Sequence, residues 1–583
     1  VTAAHYMEGG VMLCIDTSHK VLRTTTAHEL MSVASRGMPS NYEMAVKSAI
    51  VGSVVLTRYN NKTYIVDDVV LDQTPKSTFT NSKGETMTYV DYYKRQYNID
   101  VKDLSQPLLV HRLKKKELKD MGENKLVCLL PELCYLTGLT DEMRSDFKIM
   151  KDVAQHTRLT PPARHECLQK FVRNVQSNKE AREILSDWGL TLDSEPVQLE
   201  GRVLPPEGIK FGSREVTAND MADFSREAGR ERVLQPVELV GGQWVVIHTA
   251  RDERVANQFI ETFLMVCRPL GMKVGRPDLL RLPNDRVDGY VSALREKYSK
   301  KLQMAVVIFP SQREDRYNAV KKVACAELGL PTQCIVSRTI ANESKLRSVS
   351  LKIALQINCK LGGELWTLKI PMQGLMVCGI DVYHDPTKRG SSVASFVSSM
   401  NVTLSRWFTR ASFQNPGEEI VNSLKISLME ALKNYHQIHQ QLPKSIVVYR
   451  DGVSDGQLSV ARDHEIPQLT SVFRHFNGYE PKLTFVVVQK RISTRVYASL
   501  SGKGLSNAPP GAIIDHTITK RLWYDFLLVS QHVRQGTVSP THYVVVHDGV
   551  GLKVGNLQRL TYKLTHLYYN WPGTIRVPAP CQV

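Results

Sequence analysis

The chain has 583 residues, with 75 Lys plus Arg against 58 Asp plus Glu, a formal net charge of +17. That length holds about three or four domains, and so basic a protein suits a polyanion, nucleic acid above all, or else carries a basic surface with no dedicated ligand. No apolar run reaches the about 18 residues a membrane span needs, no signal peptide is present, and the ten cysteines form no CxxC pair, which argues against zinc and for a reducing cytosolic or nuclear compartment.

Residues from about 45 to 110 read as short strands separated by turns. SVVLTRYNNKTYIVDDVVL (53–71) holds two apolar-alternating runs around Asn-Asn-Lys, a hairpin pattern. STFT…MTYV and YYKRQYN follow, with aromatic and basic residues interleaved. Two readings stay open there: stacking on unpaired bases, or the packing of a small barrel. HRLKKKELK (111–119) reads as a solvated loop. Residues from about 138 to 190 turn helical, in LTDEMRSDFKIMKDVAQHT and again after Pro-Pro in TPPARHECLQKFVRNVQ. From about 240, β-branched runs alternate with amphipathic helices. WVVIHTA, QMAVVIFPS, QCIVSRT, GLMVCGID, KSIVVYRD, KLTFVVVQK and HYVVVHD are the runs. This is α/β layering, in two units of about 240–370 and 371–583.

Three places could carry chemistry. GLMVCGIDVYHD and IVVYRDGVSDGQ each deliver an aspartate, Asp381 and Asp451, at the end of a buried strand. Ligands gather at such ends in α/β sheets. If the two strands are neighbours, their carboxylates repel unless a hard cation such as Mg²⁺ or Mn²⁺ lies between them. Aspartates after strands also form ordinary turns. In FQNPGEEIVNSLKISLMEALKNYHQ (413–437) a turn at Pro416-Gly417 leads to a helix with Ile420, Leu424, Leu428 and Leu432 on one stripe. Glu418 and Glu419 fall in its first turn, and periodicity does not choose between them. The second place is a pair of helices, one with Tyr317 and Lys321 four apart, the other with Lys352, Gln356 and Lys360 at the same spacing. Two lysines and an aromatic would hold a terminal phosphate and its base; a solvated polar face is the plainer alternative. The third is KLTFVVVQKRISTRVYA (482–498), whose Lys490, Arg491 and Arg495 could steer a phosphate backbone or sit as surface charges.

In this order, YNNKTYIVDDVVLDQTPKSTF, PELCYLTGLTDEMRSDF, HTRLTP, TQCIVSRT, KIALQINCKLGGELW, YRDGVSDGQL, SPTHY and LTYKLTHLYYNWPGTIRVPAPC resemble segments of the Argonaute proteins, specifically the Piwi clade. The resemblance covers essentially the whole chain. It implies a multidomain α/β fold: linker 1–21, a PAZ domain at 22–137 as a small OB-like β-barrel, a helical linker at 138–239, a Rossmann-like MID domain at 240–370 and an RNase H-like PIWI domain at 371–583. A family amino-terminal domain is expected before Val1.

The resemblance also implies a function. The family binds a small guide RNA, in this clade a piRNA, and active members cut paired target RNA with two divalent metals, Mg²⁺ or Mn²⁺, in gene and transposon silencing. The rival is a guide-loaded silencing platform that cuts little or not at all; a DNA-acting RNase H-like nuclease is a remoter one. Asp381, Glu419 and Asp451 match the catalytic acids, with Asp455 left as a loop residue. Tyr317 would stack on the first guide base, with Lys321, Gln333 and Lys360 on the 5′ phosphate. Gln356 stands where many Argonautes carry a lysine, and a Mg²⁺ there is expected to supply the missing charge. Tyr64, Phe79, Tyr92, Tyr93 and Tyr97 match the aromatic region around the guide 3′ end, and Lys490 and Arg495 match guide-backbone contacts. The family's fourth catalytic residue, a histidine, is expected just after VPAPCQV, where this sequence ends, and His566 is no substitute for it. Implied partners are the guide, complementary target RNA, and loading and Tudor-type factors, around a monomer with no membrane insertion, in cytoplasmic germ granules or the nucleus of an animal germline.

Overall fold

The computed structural model describes residues 2–37, 41–80, 84–112, 126–384, 392–415, 417–500 and 504–582. Most of the basic run at 111–119, and Pro416, lie outside them. The chain divides into two units, Thr17–Leu159 and a larger one of Val1–Asp16 with Thr160–Val583.

The larger unit is organised by a nine-stranded sheet. Its strands are β1 (Arg202–Val203), β2 (Leu375–His384), β3 (Ser392–Ser399), β4 (Trp407–Gln414), β5 (Ser445–Asp451), β6 (Lys482–Gln489), β7 (Ala512–Ile514), β8 (Tyr524–Val529) and β9 (Thr541–Asp548), in the spatial order 1-7-8-9-6-5-2-3-4. β2, β5 and β6 are parallel neighbours, while β2, β3 and β4 form an antiparallel meander. This is the RNase H-like arrangement. The parallel strands are continuously apolar because both faces are covered. Met376, Cys378, Ile380, Ile446, Val448, Phe485 and Val487 pack on one side with the helices Leu424–His439 and Ile466–Phe473. Val377, Val447, Tyr449, Val486 and Val488 face the other side.

That second core runs on into a four-stranded, all-parallel sheet in the order Asp278–Leu282, Trp244–Thr249, Met304–Phe309, Thr332–Val336. Trp244 and Val246 meet the helices Glu253–Cys267 and Glu343–Lys360 on one face. Val245 and Ile247 meet Tyr290, Leu294 and Val320 on the other. Strand alternation therefore builds the Rossmann-like three layers.

In the smaller unit, antiparallel sheets of four strands (Leu22–Thr26, Cys134–Thr137, Val54–Thr57, Lys62–Ile65) and three strands (Leu126–Leu129, Leu108–Arg112, Asp68–Val70) share one core through Val55, Leu136, Val69 and Leu109. The hairpin read at Asn-Asn-Lys is present, with Asn61 at φ +53°. YYKRQYN is not a strand. Tyr89–Tyr97 is a helix, because Thr88 caps it by accepting from the Asp91 amide, Asn98 closes it in the left-handed region, and Tyr89 and Tyr93 bury at four-residue spacing. Tyr42–Ile50, at the start of the same stretch, is helical too.

The end of the described chain packs against the large sheet. A Cβ on Gly379 would lie 2.0 Å from the Pro580 carbonyl oxygen, so only glycine lets Ala579–Cys581 pack against β2. His566 is fully buried: its Nδ1 meets the Tyr562 carbonyl at 3.0 Å, Nε2 has no partner among the described residues, and its own carbonyl accepts from Trp366 Nε1 at 2.8 Å. Burial pulls its pKa down to about 4. Between pH 6.5 and about 4 the unfolded imidazole takes a proton that the folded one refuses. The folded state should therefore lose up to about 3 kcal/mol through this group as pH falls across that window. We expect His566→Gln to flatten the acid side of the unfolding midpoint against pH; an unchanged slope would contradict the assignment.

Candidate functional site

β2 and β5 are adjacent and parallel, with Ile380 opposite Arg450. The next residues, Asp381 and Asp451, therefore project from one face of the sheet, side by side at the strand ends. Asp451 is 1% exposed. Lys490 Nζ lies 2.5 Å from its Oδ2, but neither oxygen takes a hydrogen bond of normal geometry. Burial pushes the Asp451 carboxyl up to about 6; the Lys490 ammonium opposes that and the Asp381 charge adds to it. Two hard carboxylates, one buried with underused oxygens, fit a divalent cation. Among the described residues no three His, Cys, Asp or Glu side chains stand at metal-binding separation.

Glu419 is placed differently from the expectation. It is not in a helix: the helix begins at Leu424. The reason is long-range. The Arg450 guanidinium donates to the Glu419 backbone carbonyl, and Glu465 Oε1 accepts the Val421 amide at 2.9 Å, so the backbone groups an earlier helical turn would use are taken. The Glu419 carboxylate is held by Arg450 Nη1 at 3.0 Å and His384 Nε2 at 2.9 Å. It lies over Gly452, the residue after Asp451, where a Cβ would come within 2.6 Å of Oε1 and φ is +96°. Glu418 instead accepts from Asn422. Arg450 is fully buried and also donates through Nε to both Glu465 oxygens at 3.1 and 3.0 Å. Sequence reading missed Arg450, Glu465 and His384. Arg450 and His384 lie inside the two aspartate-bearing runs, whereas Glu465, well beyond the second run, gave no local signal.

The second site converges fully. Lys321 Nζ donates to Thr332 Oγ1 at 2.8 Å and approaches the Tyr317 ring centre at 5.8 Å. Lys360 Nζ donates to Gln333 Oε1 at 2.8 Å, and the Gln333 amide reaches Gln356 Oε1 at 3.2 Å. Both ammonium groups share the Thr332 carbonyl, at 3.3 and 2.9 Å. Two cations on one neutral acceptor want an anion. Burial and the Lys321 charge already hold Lys360 below its ordinary pKa. Lys352 is exposed on the same helix and has no part in these contacts.

Of the aromatic set, Phe79, Tyr92, Tyr93 and Tyr97 form one cluster, joined by Tyr59 and Tyr89, which sequence reading left out. Tyr93 is its buried centre, bonded to Tyr59 hydroxyl to hydroxyl at 3.0 Å. Tyr64 has its ring contact with His111 instead. Of the other basic candidates Arg491 is exposed, and Arg495 is bound internally, pairing with Asp16 at 2.8 Å and donating to the Ile492 and Thr494 carbonyls. Asp455 takes Lys520 and Gln489 in the loop after β5.

A Piwi domain model matches residues 304–583 and a PAZ domain model residues 27–160. The chain is 46% identical over its whole length to Piwi-like protein Ago3 of Bombyx mori, of which it spans 63%. It is 44% identical to Protein argonaute-3 of Drosophila melanogaster, spanning 66% of it, and 44% identical over 99% of its length to Piwi-like protein 1 of Danio rerio, spanning 67%. The crystal structure of Drosophila Piwi superposes on all of the chain and 76% of its own length with a TM-score of 0.81 at 33% identity. Kluyveromyces polysporus Argonaute, at 19% identity and a TM-score of 0.65, shares the fold.

The Arg450–Glu465 pair yields a direct test. Arg450→Met strands a buried carboxylate and should cost about 3–5 kcal/mol in denaturant unfolding. Adding Glu465→Met should recover much of that. A double variant no more stable than the single one would show that the pair is not the cause.

Proposed function

Because this chain belongs to the Piwi clade of the Argonaute proteins, we propose that it binds a small guide RNA of the piRNA class and cleaves target RNA paired with it, in gene and transposon silencing. The cluster of Lys321, Lys360 and Gln333 around the Thr332 carbonyl carries the reading. A 5′ phosphate replaces that neutral carbonyl as the shared acceptor and supplies the missing negative charge, and Tyr317, 46% exposed, offers its face to the first base. Gln356 offers its amide oxygen to a Mg²⁺ that offsets the phosphate charge. The Phe79, Tyr92 and Tyr97 rings, partly open around buried Tyr93, receive the 3′ end.

Cleavage rests on the strand-end pair. Asp381 and Asp451 would hold divalent cations, Mg²⁺ or Mn²⁺, which would supply Lewis acidity for attack of water on the phosphodiester. Lys490 exchanges Asp451 for a phosphate of the bound strand. Glu419, held over Gly452 by Arg450 and His384, completes the acidic set only on guide loading, when it leaves those partners. Arg495 keeps Asp16 and braces the strand-end loop. The Lys490–Asp451 contact also favours a second reading, a guide-loaded platform that cuts little. Proposed partners are the guide, its target, and loading and Tudor-type factors met as a monomer, in cytoplasmic germ granules or the nucleus. Among the described residues no helix is long and apolar enough to cross a membrane.

Two variants test the parts separately. Lys321→Glu should weaken a 5′-phosphorylated guide about tenfold or more, as expected for a lost charge-assisted bond, and a 5′-hydroxyl guide much less. Equal losses would remove Lys321 from the pocket. Asp451→Ala should abolish cleavage and retain guide binding. Retained cleavage would remove Asp451 from the reaction, and a guide-loaded full-length protein that binds target without cutting it would establish the platform reading.

A further inference from the structure

The meander β2-β3-β4 continues the Asp381 face sideways. Its register places Asp381, Ser395 and Ala411 in one row, and Tyr383, Val393 and Phe413 in the next. Alternation puts both rows on the same face. The opposite face of β4 is covered: Phe408 packs into the helical core, Arg410 pairs with Glu430, and Ser412 bonds Ser423. On the Asp381 face of β4, Thr409 and Ala411 are exposed and Trp407, at the far end, is partly buried. On this open shelf of small residues stand two large rings, Tyr383 at 62% and Phe413 at 84% exposure. Neither belongs to a hydrophobic core. One exposed aromatic is ordinary; two in one row beside a catalytic carboxylate are a surface with a use.

We propose that Tyr383 and Phe413 form an aromatic clamp for one nucleobase of the target strand, turned out of the helical stack beside the scissile phosphate. Three dimensions carry it. The clamp row lies two residues beyond Asp381, about 7 Å, which is roughly one nucleotide. The rings stand on strands two apart, about 10 Å between Cα positions, which admits a planar base between leaning rings above Val393. The shelf of Ser395 and Ala411 lets a strand whose phosphate reaches Asp381 lie flat on its way there. A base suits the rings better than a peptide, because the clamp is continuous with the phosphate-cutting face, and base–ring stacking is indifferent to sequence.

The inference rests on the guide-directed reading, and its test separates the two. The full chain is loaded with a synthetic 5′-phosphorylated guide. Complementary RNA targets carry a single 5-iodouridine, mismatched to the guide so that it is free to unstack, at each position near the scissile phosphate. Irradiation should crosslink one or two adjacent positions to Tyr383 or Phe413, identified by peptide mass. The double variant Tyr383→Ala/Phe413→Ala should lose those crosslinks and bind the same targets about tenfold more weakly. Tyr383→Phe should retain both. Crosslinks elsewhere, or a double variant with parental affinity, would overturn the clamp and leave the guide-directed reading standing. Failure of the loaded parent to bind complementary RNA at all would overturn both.

Discussion

Arg450 and Asp451 are consecutive residues at the end of one buried strand, and strand alternation sends them to opposite faces of the sheet. Much of the candidate active site follows from that. On one face Asp451 joins Asp381, because β2 and β5 are parallel and in register. On the other, the Arg450 guanidinium ties together Glu465, the Glu419 carboxylate and the Glu419 backbone. The loop bearing Glu419 is thus held to the strand that bears Asp451, and Gly452 leaves the space for it. A buried ion pair adds little net stability compared with apolar packing, but it fixes geometry.

The Lys321–Lys360 cluster uses a related logic at the end of a different parallel sheet. The strand Thr332–Val336 delivers Thr332 and Gln333, and helices on opposite faces of the sheet deliver Lys321 and Lys360. Two cations converge on one carbonyl. The cost of holding them together is a stored preference for an anion. In both places a rigid strand end sets position, and unbalanced charge sets which ligand is welcome.

The strands of the larger unit were legible because buried parallel strands read as long β-branched runs. The strand-end aspartates and the four-residue spacing of Tyr317–Lys321 and Gln356–Lys360 were legible for the same local reason. What was not legible depends on partners distant in sequence. Ile420 to Leu432 has helical periodicity, yet the helix waits until Leu424 because Arg450 and Glu465 have taken the preceding backbone groups. YYKRQYN reads with the short strands around it for its interleaved aromatic and basic residues, but Thr88 and Asn98 cap it as a helix. The engagement of Lys490 with Asp451 and of Arg495 with Asp16 could not be read from a run of basic residues. Neither could the pairing of Tyr383 with Phe413, which needs the register of three strands. Family resemblance singled out Glu419 over Glu418; nothing local did.

The proposed cleavage requires Asp381 and Asp451 to form a cation site on one face of the sheet. The most direct measurement is Mn²⁺ binding, by electron paramagnetic resonance, to the full chain carrying a guide and a paired target. The account predicts protein-bound Mn²⁺ whose affinity falls at least about tenfold in Asp381→Asn and again in Asp451→Asn. Binding of equal strength in the parent and both variants would contradict it, and would leave the two aspartates as neighbours without a shared ligand.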